Sequence, residues 1–190
     1  VKVYQHEANS INSLSNSFIL DILITRLGQL WIATYGGGLN LYNPLTDSFV
    51  RYRHPPNNSN SLSNDTVFSL AESHDGKIWL ATDGGGLNLF DPKKETFIHF
   101  HAKEPGENQM PSNNLRYVFE DHQGIVWLGT FTDGLIRFDP NTNDIKQYKF
   151  DSSDENSLSN NNVLKIYEDK KQQLWLGGID GGLSRLNKIT

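Results

Sequence analysis

Histidines and carboxylates come first, because acid–base catalysis and metal binding need them. The chain has six histidines, His6, His54, His74, His99, His101 and His122. His99 and His101 stand two apart, which on a strand puts both on one face, a spacing that suits two ligands of a metal ion. No third ligand recurs beside them, so they read as solvated edge residues and no metal is expected. Asp121-x-x-Gly124 and His74-Asp75-Gly76 resemble pieces of a calcium loop. Calcium needs oxygen ligands at alternate positions, which these segments lack, so they read as tight turns with Gly at positive φ. The triplets Gly36-Gly37-Gly38 and Gly84-Gly85-Gly86 have the composition of a phosphate cradle. A phosphate loop feeds a helix whose N-terminus faces the anion, and here a strand pattern follows. Serine is abundant, but nothing resembles a nucleophile elbow. Cysteine is absent, which excludes thiolate nucleophiles, thiolate metal sites and disulfides and leaves the redox compartment open. Neither catalysis nor a cofactor is expected.

The elements that position these residues are set by a ruler. The four tryptophans, Trp31, Trp79, Trp127 and Trp175, are each separated by 48 residues. The register holds without a gap: Asn12, Asn60, Asn108 and Asn156 align, as do Leu14, Leu62, Met110 and Leu158, and Gly38, Gly86, Gly134 and Gly182. An internal repeat of this length covers the chain. Within one unit, 67–71, 78–82, 87–90 and 96–100 are short apolar runs bounded by Gly, Pro, Asn or Asp, a four-stranded meander. No sustained helical stripe appears.

The expected fold is therefore all-β, a β-propeller of four-stranded antiparallel blades. The second strands (30–33, 78–81, 126–129) run apolar without alternation, as strands covered on both faces do. The residue two after each Trp is small (Ala33, Ala81, Gly129, Gly177), which predicts room for the indole of the adjacent blade. The 190 residues read as one propeller domain with repeats at about 7–54, 55–102, 103–150 and 151–190. Residues 1–6 align with the fourth strand at 49–54 and are expected to complete the last unit. That would latch a four-blade ring and remove its exposed edges; the alternative is an arc of a larger propeller, with self-association through the blade edges. Net charge is −5, from 17 Lys and Arg against 22 Asp and Glu, which argues against nucleic acid as a partner. No apolar run reaches the roughly 18 residues of a membrane span, and no signal peptide opens the chain at Val1.

Glu120-Asp121-His122-Gln123-Gly124-Ile125-Val126-Trp127-Leu128-Gly129-Thr130, continued by Gly134-Leu135 and Asp139-Pro140, resembles the two-component regulator propeller repeat. The copies around Trp31, Trp79 and Trp175 follow the pattern less fully, and the Asn-Ser-Leu-Ser-Asn segments at 12–16, 60–64 and 156–160 also fit it. The resemblance implies a non-catalytic sensor module in the periplasmic or extracytoplasmic part of a bacterial inner-membrane regulator, with some members responding to oligosaccharides. On a propeller, the turns after the second strands and the loops entering the first strands open on one face, and there the repeats diverge. A rigid frame carrying variable loops is a recognition scaffold. Tyr35 and Phe131 are expected to stack on an apolar sugar face, with Asp83, Asn114, Arg116, Asp133 and Asp180 bonding hydroxyls of a small polar ligand or oligosaccharide. The alternatives are a propeller-frame enzyme of the polysaccharide lyase or lactonase type and a protein–protein interaction scaffold.

Overall fold

The computed structural model describes residues 1–102 and 110–188. Among them there are fifteen strands and no helix. The first sheet holds β1 (Ile19–Ile24), β2 (Leu30–Thr34), β3 (Gly38–Asn43) and β4 (Ser48–Tyr52). The second holds β5 (Val67–Glu72), β6 (Ile78–Thr82), β7 (Leu87–Asp91) and β8 (Thr96–Phe100). The third holds β9 (Leu115–Glu120), β10 (Val126–Thr130), β11 (Leu135–Asp139) and β12 (Asp144–Tyr148), and the fourth β13 (Lys165–Glu168), β14 (Leu174–Gly177) and β15 (Leu183–Leu186). Strand order in each sheet follows the chain, all antiparallel, so each sheet is one meander and one propeller blade.

The blades pack face to face, and the repeat explains how. The Trp face of one blade meets the opposite face of the next: Trp31, Ala33 and Leu39 against Val67, Leu70, Leu80 and Phe90. Trp79 and Leu87 meet Leu115, Val118, Leu128 and Phe138 in the same way, and Trp127 and Leu135 meet Val163, Ile166 and Leu176. Both faces of β6 and β10 are consequently dry, and every residue of those strands is buried. The small residue after Trp has a different purpose from the one the sequence suggested. A side chain at Gly129 would run into the carbonyl and side chain of Val163 on the next blade, so the space admits the neighbouring first strand rather than an indole.

A long apolar side chain from a loop, leucine or methionine, seals each interblade boundary. Leu62, Met110 and Leu158 are buried in successive interblade clusters, delivered by the segment ahead of each first strand. Buried Asn40 anchors that segment by accepting from the amide of Ser15 (2.9 Å) and donating to its hydroxyl (2.8 Å), and Asn88 does the same for Ser63. In the third unit the serine is replaced by Pro111, which has no amide to donate, and Ile136 replaces the asparagine. The two changes belong together, because an unpaired buried amide would cost about 1–3 kcal/mol.

The arc does not latch. Residues 1–6 form no strand, and the fourth blade has three strands among the described residues. Tyr4 instead packs on Phe49 and Tyr42 (5.4 and 5.7 Å) and donates to Asp47 (2.6 Å), with Lys2 paired to the same carboxylate. This is the seat that aligned Tyr52 takes on blade two, against Phe90 (4.9 Å). The segment therefore follows its apolar contact onto the front of blade one. Part of blade one's outer face and that of blade four stay open: Ile22 is 60 % exposed and Leu183 68 %, whereas their aligned residues Leu70, Val118 and Ile166, and Leu39, Leu87 and Leu135, are buried.

Candidate functional site

The turns after the second strands and the loops before the first strands open on one face and are tied together there. The amides of Gly84 and Gly86 donate to the Asn113 carbonyl (3.0 Å each), and Gly134 donates to Asn161 (2.9 Å). The glycine triplets are thus interblade clasps, with Gly36, Gly38, Gly84 and Gly86 at positive φ. Buried Thr34, Thr82 and Thr130 close the same turns by donating to Gly38, Gly86 and Gly134 carbonyls at 2.9, 2.7 and 2.8 Å.

A β-bulge sets which side chains reach the mouth. Register slips at Leu20 in β1, at Phe68 in β5 and at Arg116 in β9. A bulge leaves one residue unpaired and re-aims its side chain, and in these three blades that residue is Leu20, Phe68 or Arg116. Arg116 uses this placement. Its guanidinium lies 3.8 Å from the centroid of Phe68 on blade two and 5.6 Å from Phe131 on its own blade. Nη2 stands 3.5 Å from Asp83 Oδ1, while Nη1 is buried without a hydrogen-bond partner. Asn114 pairs with Asp83 in an isolated β-bridge at the same boundary. Phe131, 47 % exposed, forms the outer wall.

Of the seven residues the sequence nominated, four therefore converge at the boundary of blades two and three: Asp83, Asn114, Arg116 and Phe131. The others are spread around the arc. Tyr35 packs on Phe18 (5.6 Å) at the loop face of blade one. The Asp133 amide is held by Thr130 Oγ1 (2.8 Å), its carbonyl takes Gln147 Nε2 (2.8 Å), and its carboxylate faces Lys149 at 3.9 Å, away from Arg116. Asp180 sits at φ 59° where aligned Gly36 and Gly84 also adopt positive φ, a turn position that Asp tolerates. Phe68 joins the group as well, and its place beneath Arg116 depends on the bulge in β9, which residue spacing does not show.

The histidines are built into the frame. His99 Nε2 meets the Ser61 carbonyl at 2.7 Å, and His54 and His6 Nδ1 meet the Leu62 and Leu14 carbonyls at 2.6 and 2.8 Å. Among the described residues no three His, Asp or Glu side chains are grouped to hold a metal ion. No helix there is long and apolar enough to cross a membrane.

The repeats define the class: the two component regulator propeller family matches at residues 13–36, 61–84, 109–132 and 157–180, one match per unit, and the chain belongs to that family. Its structure is similar to the extracellular domain of BT3049 from B. thetaiotaomicron, described as a hybrid two component system. The two are 25 % identical with a TM-score of 0.82, over 97 % of this chain and 24 % of the other. It is also similar to the extracellular domain of BT4673 from the same organism, described as a one component system. There the identity is 28 % and the TM-score 0.75, over 92 % of this chain and 22 % of that one. The chain thus spans about a quarter of the length of these domains. A gluconolactonase from Xanthomonas campestris, 14 % identical with a TM-score of 0.62 over 96 % of this chain and 60 % of its own, shares the fold alone. No curated protein matches the chain.

Proposed function

We propose that the chain is a non-catalytic part of the extracytoplasmic sensor of a bacterial signalling regulator, and that its loop face binds a small polar ligand of the oligosaccharide class. The observation that carries this is the Arg116 group. A guanidinium with a free buried donor, a carboxylate acceptor and a half-exposed aromatic wall converge where two blades meet. Arg116 and Asn114 donate to hydroxyls, Asp83 accepts from them, and Phe131 offers an apolar face to a sugar ring. The frame beneath is rigid, so little ordering opposes binding. The family, and the similarity to extracellular domains of one- and two-component systems, support the extracytoplasmic signalling part of this reading. The open parts of blades one and four, around Ile22 and Leu183, carry the same residue types that pack between the inner blades, and further blades of this kind are their natural cover.

The test is calorimetric titration of the chain with a panel of oligosaccharides. Arg116→Ala, and Arg116→Met as a variant that keeps an apolar stem on Phe68, should weaken binding of any hit by about tenfold or more, the loss of a charged hydrogen-bond donor. The melting temperature should stay close to that of the parent. Titration curves unchanged in both variants would remove Arg116 from the site and the reading with it.

A further inference from the structure

The opposite face of the arc holds a second place where chemistry gathers, and the repeat itself identifies what it takes. Glu72, Glu120 and Glu168, 48 residues apart, close the first strands of blades two, three and four. Each accepts the amide of an aligned turn residue in the blade before: Arg26 (2.8 Å), His74 (2.9 Å) and His122 (3.0 Å). The boundaries differ in the cation. At the first, Arg26 Nε lies 3.2 Å from Glu72. At the third, the ammonium of Lys188 sits 2.7 Å from Asp121 Oδ2 and pairs with Glu168 as well. Lys188 occupies the position that Pro44, Pro92 and Pro140 hold in the other units.

At the second boundary Pro140 is in that place, and a cavity of about 470 Å³ opens between blades two and three. Trp79, Leu89 and Pro140 supply its apolar wall, and Glu120 stands in it with a side chain only 7 % exposed. Glu120 accepts from the Trp79 indole and pairs with the His74 ring, but among the described residues no Lys or Arg reaches it. Lys77, which also lines the cavity, is taken by Asp75 at 2.5 Å. The chain thus shows, one boundary further on, what fills the equivalent space: an ammonium on a methylene stem. We propose that the cavity between blades two and three binds a primary alkylammonium group, with the ammonium on Glu120 and the alkyl stem along Trp79, Leu89 and Pro140. A buried carboxylate at the edge of an apolar wall is a favourable seat for such a cation, because it pairs the ammonium while the stem stays on apolar surface. The site lies on the face away from Arg116 and does not depend on the reading given for that face.

The test is titration of the 190-residue chain, followed by calorimetry and tryptophan fluorescence, with n-pentylamine and with Nα-acetyl-lysine methylamide. The uncharged counterparts are 1-pentanol and Nα-acetyl-norleucine methylamide. At least one cation should bind saturably, and about tenfold or more tighter than its neutral counterpart. Binding of n-pentylamine alone identifies free amines as the ligand source, and binding of the lysine derivative alone identifies a protein side chain. Pro140→Lys, which supplies the chain's own ammonium as Lys188 does, should abolish the binding, and so should Glu120→Gln. The proposal is overturned if neither cation outbinds its neutral counterpart, or if the folded Pro140→Lys and Glu120→Gln chains bind as the parent does.

Discussion

Gly129 and Gly177 occupy the same place in blades three and four, and the difference between their surroundings can be read as a free energy. Neither has a positive φ, so alanine is conformationally acceptable at both. At Gly129 an added Cβ would stand 3.1 Å from the Val163 carbonyl carbon and 3.2 Å from its Cγ1, and nearer still to the carbonyl oxygen. At Gly177 it would meet nothing within 4 Å. Overpacking against a backbone costs about 1–3 kcal/mol. The loss of glycine's freedom in the unfolded chain returns about 0.4–1 kcal/mol at a site that accepts the new residue. Gly129→Ala should therefore destabilise by about 1–2 kcal/mol, and Gly177→Ala should be neutral or stabilise by a few tenths, a gap of about 2 kcal/mol. For a domain of this size that gap corresponds to about 4–8 °C in melting temperature. Urea unfolding followed by tryptophan fluorescence reads both variants, with Trp127 and Trp175 flanking the boundary in question. Equal midpoints for the two variants would refute the packing argument and, with it, the view that blade four ends in an open face. In a longer chain whose next blade covers that face, Gly177→Ala should become as costly as Gly129→Ala.

The remaining predictions concern polar groups that the packing has buried. Trp127 Nε1 donates to Asp121 Oδ2 (2.9 Å), whereas buried Trp31 Nε1 has no partner; Trp127→Phe should thus cost about 1–3 kcal/mol more than Trp31→Phe by chemical denaturation. Burial alone would raise the Asp121 and Glu168 carboxyls, but hydrogen bonds outweigh it and hold both below their ordinary values. Those bonds come from Lys188, and also from Trp127 for Asp121 and His122 for Glu168. Stability from a lowered carboxyl is fully present above its unfolded pKa, about 4, and is lost as pH falls through the folded value. Lys188→Met should therefore destabilise by about 2 kcal/mol at pH 7, with the two denaturation curves converging below about pH 4; a constant difference down to pH 2 would show that the ammonium does not act through these carboxylates.

The 48-residue spacing of the tryptophans was enough for the fold, because a radial array repeats one set of burial constraints and every blade must answer them with the same residue types. It also located the strands to within a residue or two and the face on which the loops vary. The triplets of glycine and the Asp-Gly turns were legible for the same reason: positive φ and hydrogen bonding within a turn are local. What the repeat did not settle was non-local. Whether residues 1–6 pair with β15 or seat Tyr4 on Phe49 and Tyr42 depends on which surface lies within reach after the blades have packed. Residues 83, 116 and 131 form one group because a bulge in β9 turns Arg116 across a blade boundary, and neither the bulge nor the boundary is written in the spacing. The alignment of Glu72, Glu120 and Glu168 was present in the sequence, but a carboxylate repeated on a strand is ordinarily a solvated side chain. Only the approach of the preceding blade, whose turn amide meets the carboxylate at each of the three boundaries, buries it and gives it a partner to hold.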